Sequence, residues 1–345
     1  MGYGIAAAGG LICVVAITGQ HFLAFVAGSA LFAVASATNL QARFAASDLA
    51  RLGRVSTSMS LVVGMSTVGA VLGPQCATLG AEFARRVDIP PWAGAYALGA
   101  VSFLTATVIV GWGLRPDPLR FALALARAAS QTGGSDEADA SRGRPAGLRD
   151  GLAAIRASGI ATLALVTAGV GHAVMIGLMT WTPLHMADSG QAWIGVVLSG
   201  HLLGMYAFAP VLGWLADRVG KLVMVGCGCI LMVVSLAVAS VTTGQQHEVL
   251  LVALGLLGLS WAMLFITGSG LFTEHIAPHR RAAAQGLFDA VVWAAAAAAQ
   301  AVTGWLMDAV GYGWLCICGI ATVAIPTVGV WVRYAASRVS SPRRD

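Results

Sequence analysis

Apolar residues run along this chain in stretches of about twenty, each long enough to cross the hydrocarbon core of a bilayer as one helix. The stretches fall at 2–18, 22–44, 56–80, 92–113, 158–185, 192–213, 222–243, 249–272, 284–306 and 314–335. A backbone inside lipid has no water to bond, so each stretch predicts an α-helix. The expected fold class is an all-α polytopic membrane protein with ten transmembrane helices. One long polar stretch interrupts the pattern, from Leu114 to Arg156, with Gly133, Gly134, Ser135, Asp136, Glu137 and Asp139 followed by Arg142, Arg144 and Arg149. It predicts a partly disordered linker with a short amphipathic helix around 118–129. The expected domains are a bundle of four spans (1–114), the linker (115–157), a bundle of six spans (158–336) and a tail (337–345).

Composition agrees with that reading. The chain is 58% hydrophobic and 10% charged, with a mean hydropathy of +0.80, which places it outside the soluble class. The pI of about 9.1 does not point to nucleic acid, because the basic residues are spread over short loops instead of one face. They report orientation. With ten spans, one side collects Arg43, Arg51, Arg54, Arg115, Arg120, Arg127, Arg142, Arg144, Arg149, Arg156, Arg218, Lys221, Arg280, Arg281, Arg333, Arg338, Arg343 and Arg344, and the other only Arg85 and Arg86. The split predicts a cytoplasmic location for the basic side, and with it for both termini and the linker. The six cysteines all fall inside spans. Cys227/Cys229 and Cys316/Cys318 are spaced i,i+2, which on a helix points them to nearly opposite faces, so they read as small buried hydrophobes. His172, His185 and His201 share no metal-ligand spacing, and no metal or other cofactor is expected.

The most charged loop between two spans is Gly213-Trp214-Leu215-Ala216-Asp217-Arg218-Val219-Gly220-Lys221. Its charges belong at the water boundary and Gly220 supplies the turn. The pattern Gly213-x-x-x-Asp217-Arg218-x-Gly220-Lys221 resembles the cytoplasmic loop motif of the major facilitator superfamily of secondary transporters. The likeness covers essentially the whole chain. Asn39–Ala50, Ser60–Pro74 and Ile194–Lys221 look like a bacterial subgroup of drug- or metabolite-exporting facilitators. A short repeat fits two related halves: Asp48 has Arg54 six residues on, and Glu274 has Arg280 six residues on. Since Glu274 lies 54 residues after Gly220, the matching loop of the first half is expected just upstream of Met1. The expectation is therefore a chain that lacks the first two helices of the superfamily's usual twelve. The simple alternative is a ten-helix transporter with unequal halves.

Several embedded residues can carry transport chemistry. Asp289 is the one acid inside a predicted span; it reads either as a proton-coupling carboxylate or as an acid that steadies its helix end and bonds a neighbouring helix. His172 and His201, near the middle of their spans, are candidate proton carriers or interhelical hydrogen-bonding groups. Asn39, Gln41 and Arg43 end the second span, where they line and gate a cavity or, for Arg43, snorkel to water. Trp261, with Thr267, Gly268, Ser269 and Gly270 beyond it, and likewise Trp181 and Trp293, can stack on an amphiphilic ligand or simply pack. Gly69, Gly73 and Pro74 permit a close helix approach and a bend. Gly69-x3-Gly73-Pro74 resembles the antiporter signature of the superfamily's drug:proton exporters, although Gln75-Cys76-Ala77-Thr78 replace its later glycines.

The resemblance implies two bundles around a central cavity that opens alternately to either side, with Asp217 and Arg218 latching cytoplasmic helix ends in the outward-open state. It implies cavity walls at 22–44, 158–185 and 249–272. The expected function is proton-coupled efflux of small amphiphilic molecules across a bacterial inner membrane. A metabolite uniporter or symporter, and a remnant that no longer transports, are the alternatives. The expected partners are a small-molecule substrate, protons and the bilayer, with no nucleic acid and a monomer favoured. No paired nucleophile and base, metal-ligand spacing or nucleotide loop is present, which argues against an enzyme or an ATP-driven pump.

Overall fold

The structure, a computed structural model, describes residues 1–48, 50–51, 53–115, 117–118, 120–121, 124 and 147–340. All ten expected spans are helical. Before the linker lie α1 (Gly2–Thr18), α2 (Phe22–Asp48), α3 (Val55–Arg86) and α4 (Pro91–Gly113). After it come α5 (Leu148–Ala157), α6 (Gly159–His185), α7 (Gln191–Tyr206), α8 (Ala209–Val219), α9 (Lys221–Ser240), α10 (His247–Glu274) and α11 (Arg281–Ser340). No strand occurs among the described residues.

The helices depart from the sequence pattern in two places. The sixth span is two helices, α7 and α8, with a break at Ala207 and Phe208. Pro210 explains it: proline has no N–H to donate to the carbonyl four residues back, and its ring crowds that turn. Conversely, α11 covers the last two spans, and its two arms meet at Gly311 with φ 80° and ψ 176°. A side chain at that φ would be strained, so glycine is what lets the chain reverse with no loop. The amphipathic helix expected around 118–129 falls mostly outside the described residues. A clear amphipathic helix occurs instead as α5, at the end of the linker, with Gly151, Ala154 and Ile155 buried.

The chain divides into two compact units. One comprises Met1–Leu49 with Val68–Gly133, in which α1 packs against both α2 and α4. The other comprises Ala50–Thr67 with Gly134–Asp345, so the first part of α3 belongs to the same unit as the C-terminal helices. In this second unit α10 is central, packed by α6, α7, α8 and α9. Every residue from Ser260 to Thr273 is buried. A helix that is buried all round reads as uniformly apolar, and α10 does so except at small polar residues. Ser260 and Ser269 bond carbonyls of their own helix, Leu257 and Phe265, which removes the cost of burying the hydroxyls.

Candidate functional site

The charged loop forms a latch within the second unit. Helix α3 starts at Val55, and the residue before it is Arg54, whose side chain has no acceptor to cap the free N–H groups of the first turn. Asp217 of α8 caps them instead. Its Oδ1 accepts from the Ser56 N–H at 3.2 Å, and its Oδ2 accepts from the Thr57 N–H at 2.7 Å and the Thr57 hydroxyl at 2.8 Å. Lys221, one turn on, places Nζ 2.8 Å from Asp217 Oδ1 and 3.0 Å from Glu274 Oε1 at the end of α10. With four donors aimed at it and no acceptor, the Asp217 side chain is bound as a carboxylate. The two side chains of the Asp217–Lys221 pair are only 6% and 9% exposed, so the pair sits where charges interact more strongly than at a surface. Four helix ends therefore meet through Asp217, Lys221 and Glu274.

Two glycines make the fit possible. A Cβ on Gly213 would lie 2.5 Å from the Ser56 carbonyl oxygen, and one on Gly270 would lie 2.5 Å from Ser56 Oγ. Both clear the space that the first turn of α3 fills. Gly220 joins α8 to α9 at φ 108°, a conformation glycine adopts freely and other residues do not. Arg218 points away from the pair, its guanidinium 5.3 Å from the ring of Trp214. The motif thus splits its charges: Asp217 and Lys221 hold the latch, and Arg218 is exposed.

A second group lies at membrane depth in the same unit. Trp261 of α10 donates its indole N–H to His172 Nδ1 of α6 at 2.8 Å. The His172 ring is also 5.8 Å from Phe265 and 5.2 Å, edge-on, from Trp293 of α11. Trp261 stacks on Phe265 at 4.8 Å and meets Tyr206 of α7 at 6.0 Å. An indole N–H can only donate, so His172 Nδ1 is an acceptor here and a neutral ring carries its proton on Nε2. Asp289, buried on α11, sits one turn before Trp293 on the same helix face. One turn earlier again, Gln285 Nε2 donates to Thr273 Oγ1 at 3.4 Å. Gln285, Asp289 and Trp293 form a stripe down the first arm of α11.

The remaining candidates are placed elsewhere. His201 Nδ1 is 2.8 Å from the Leu254 carbonyl oxygen, a bond between α7 and α10, in a fully buried position. The carbonyl can only accept, so this histidine carries its proton on Nδ1 and is arranged opposite to His172. In the first unit, Tyr3 donates to Asn39 Oδ1 at 3.4 Å and Gln41 is exposed. Arg43 is wholly buried, its guanidinium 4.2 Å from the Phe44 ring, and so does not snorkel to water. Gly69 has open space where a side chain would be. Positions 73 and 74 are helical, and their side-chain surroundings lie outside the described residues. Cys229 and Cys316 are buried as expected, but Cys227 and Cys318 are exposed and are not the buried hydrophobes expected, because i,i+2 spacing turns one member of each pair to the outer face of its helix.

Sequence reasoning missed Ser56, Thr57 and Phe265 as partners. The signal for the first two was present: the third span was expected to begin at Ser56, behind Arg54 and Val55, neither of which can cap a helix, and Asp217 was expected to latch helix ends with no partner named.

Residues 187–345 match the family model of the Major Facilitator Superfamily. Over 326 residues the chain is 30% identical to YdeG, an uncharacterized MFS-type transporter of Bacillus subtilis, covering 93% of this chain and 73% of YdeG. It is 28% identical over 330 residues to the riboflavin transporter RfnT of Brucella anthropi, covering 94% of this chain and 76% of RfnT. Among solved structures it is similar to FucP, a Major Facilitator Superfamily transporter in the outward conformation. That match has a TM-score of 0.68 at 12% identity and covers 96% of this chain and 81% of FucP.

Proposed function

The chain belongs to the major facilitator superfamily, a family of membrane transporters and not of enzymes, and on that premise we propose that it exports small amphiphilic molecules in exchange for protons. The carrying observation is the His172–Trp261 hydrogen bond, buried among aromatic rings on helices that the resemblance assigns to cavity walls. Adding a proton at His172 Nδ1 sets an N–H against the indole N–H, two donors facing each other, so the bond between α6 and α10 must break. Protonation is thereby linked to a helix rearrangement, which is what coupling requires: a proton that binds the two arrangements differently shifts their balance. Asp289 is the second proton-carrying group, since an embedded carboxylate is costly in its charged form.

The latch at Asp217 holds the basic ends of α3, α8, α9 and α10 together, and the basic end faces the cytoplasm. Releasing the latch exchanges the Asp217 contacts for water. Trp261, Phe265, Trp293 and Tyr206 give the transported molecule flat faces to stack on once the His172 bond opens. A planar, partly polar ring system fits such surroundings, and riboflavin, named for the relative RfnT, is a molecule of that kind.

The test uses purified full-length protein in liposomes that hold a pH-sensitive dye. Ethidium or riboflavin supplied against a proton gradient should drive proton movement, and His172→Gln should abolish the coupling. Proton movement unaffected by His172→Gln would remove His172 from the mechanism.

A further inference from the structure

Helix α5 is placed at the boundary of the membrane by its neighbours. A single residue, Ser158, joins it to α6, and Ser158 caps α6 by accepting from the Ala161 N–H at 3.2 Å. Midway along α5, Gly151 rests on the backbone of Ala283 and Ala284 in the first turn of α11; a Cβ there would lie 2.9 Å from the Ala283 carbonyl carbon. The helix also touches the turn at Pro278–Arg280. The contacts His172–Trp293 and Trp181–Thr303 set α6 and α11 alongside each other so that both begin at one level, and a helix that meets both starts lies across them.

The faces of α5 divide in a definite order. Gly151, Ala154 and Ile155 are buried against the protein. Beside them Leu148 and Leu152, one turn apart, are 69% and 40% exposed. Beyond the leucines come Arg149 and Arg156, two turns apart on one face and both exposed. Neither arginine has an ion-pair partner among the described residues, whereas Asp150, on the far side, accepts from the Gly147 N–H at 2.9 Å. Arg333 reaches the same level, its guanidinium against Gly159.

We propose that α5 is an in-plane docking helix for anionic phospholipid, in which Leu148 and Leu152 enter the acyl layer while Arg149 and Arg156 bind phosphate headgroups. The order of faces, protein then leucine then arginine, matches the order of layers that a helix lying in the interface meets. Charge complementarity selects the occupant: paired apolar and cationic faces at lipid level suit a phosphate ester with acyl chains, and arginine's planar fork suits the phosphate. The consequence is mechanical. The second bundle begins with a helix held both by α11 and by the lipid surface, so lipid charge bears on the starts of α6 and α11.

Native mass spectrometry of the full chain in detergent, titrated with phosphatidylglycerol or phosphatidylcholine, tests this directly. Phosphatidylglycerol should bind more tightly, and Arg149→Gln with Arg156→Gln should weaken it about 25-fold, roughly fivefold per arginine, without affecting phosphatidylcholine. The Arg→Lys pair should retain most of the preference, and Leu148→Ser with Leu152→Ser should weaken both lipids. All four positions are exposed, so monodisperse variants are expected. The proposal is overturned by an unchanged phosphatidylglycerol affinity in the Arg→Gln pair or in the Leu→Ser pair. It is equally overturned by full competition from soluble glycerol phosphate, which marks a free phosphate site, or by a dimer that the variants dissolve, which marks a second copy as the occupant.

Discussion

Replacing Asp217 by Asn tests the latch at the level of single atoms. Each carboxylate oxygen has two donors: Ser56 N–H and Lys221 Nζ on Oδ1, Thr57 N–H and Thr57 hydroxyl on Oδ2. Asparagine keeps one oxygen. Whichever way its amide turns, the NH2 group faces two donors, so two hydrogen bonds are lost and a charge is gone. Hydrogen bonds to charged groups contribute about 1.5–3 kcal/mol each, and a near-buried pair is little screened by solvent; because Lys221 keeps Glu274, we take about 3 kcal/mol as the net cost. That is roughly a 150-fold shift in the closed–open balance of the latch. Residue-resolved amide hydrogen exchange reads it, since the Ser56 and Thr57 amides are the ones Asp217 protects. Their exchange should accelerate on the order of 100-fold, while amides in the middle of α10 stay as they were. Unchanged exchange at Ser56 and Thr57, or equal acceleration throughout the second unit, would refute the reasoning.

Other substitutions separate the roles of neighbouring groups. Gly220→Ala places a side chain at φ 108° and should cost about 1–3 kcal/mol, lowering the thermal midpoint in a detergent melt. Gly213→Val should act like Asp217→Asn in the exchange experiment, because the new side chain displaces the Ser56 carbonyl. Trp261→Phe keeps the stack on Phe265 and removes only the donor to His172; it should cost about 1 kcal/mol of stability and uncouple proton movement from substrate. His201→Gln, which can still donate toward the Leu254 carbonyl, should leave coupling intact in the same flux assay.

Much of the fold was legible because lipid imposes a strict rule on the backbone. Twenty apolar residues in a row can be little else than a helix, and the limits read at 2–18, 92–113 and 249–272 differ from α1, α4 and α10 by two residues at most. The break in the sixth span was not read, although Pro210 was visible, because apolarity continues across it and membrane helices often tolerate proline. Helix α5 was missed for a different reason. Its apolar positions Leu148, Leu152 and Ile155 are few, and the arginines between them read as linker charge. At the site, pattern alone selected Asp217, Lys221, His172 and Trp261 one by one. It could not pair His172 with Trp261 or Asp217 with Thr57, because those contacts join helices 89 and 160 residues apart in sequence. His172 and His201 looked alike in the sequence, and only their hydrogen-bond partners distinguish an acceptor Nδ1 from a donor Nδ1.

If protonation in the second bundle drives export, substrate-linked proton flux in liposomes must show it. With the wild-type chain, a proton gradient should accumulate ethidium or riboflavin against its own gradient, and an uncoupler should collapse the accumulation. In His172→Gln, accumulation should be lost while the substrate still equilibrates. Accumulation that survives the uncoupler, or substrate movement with no accompanying protons, would contradict the account.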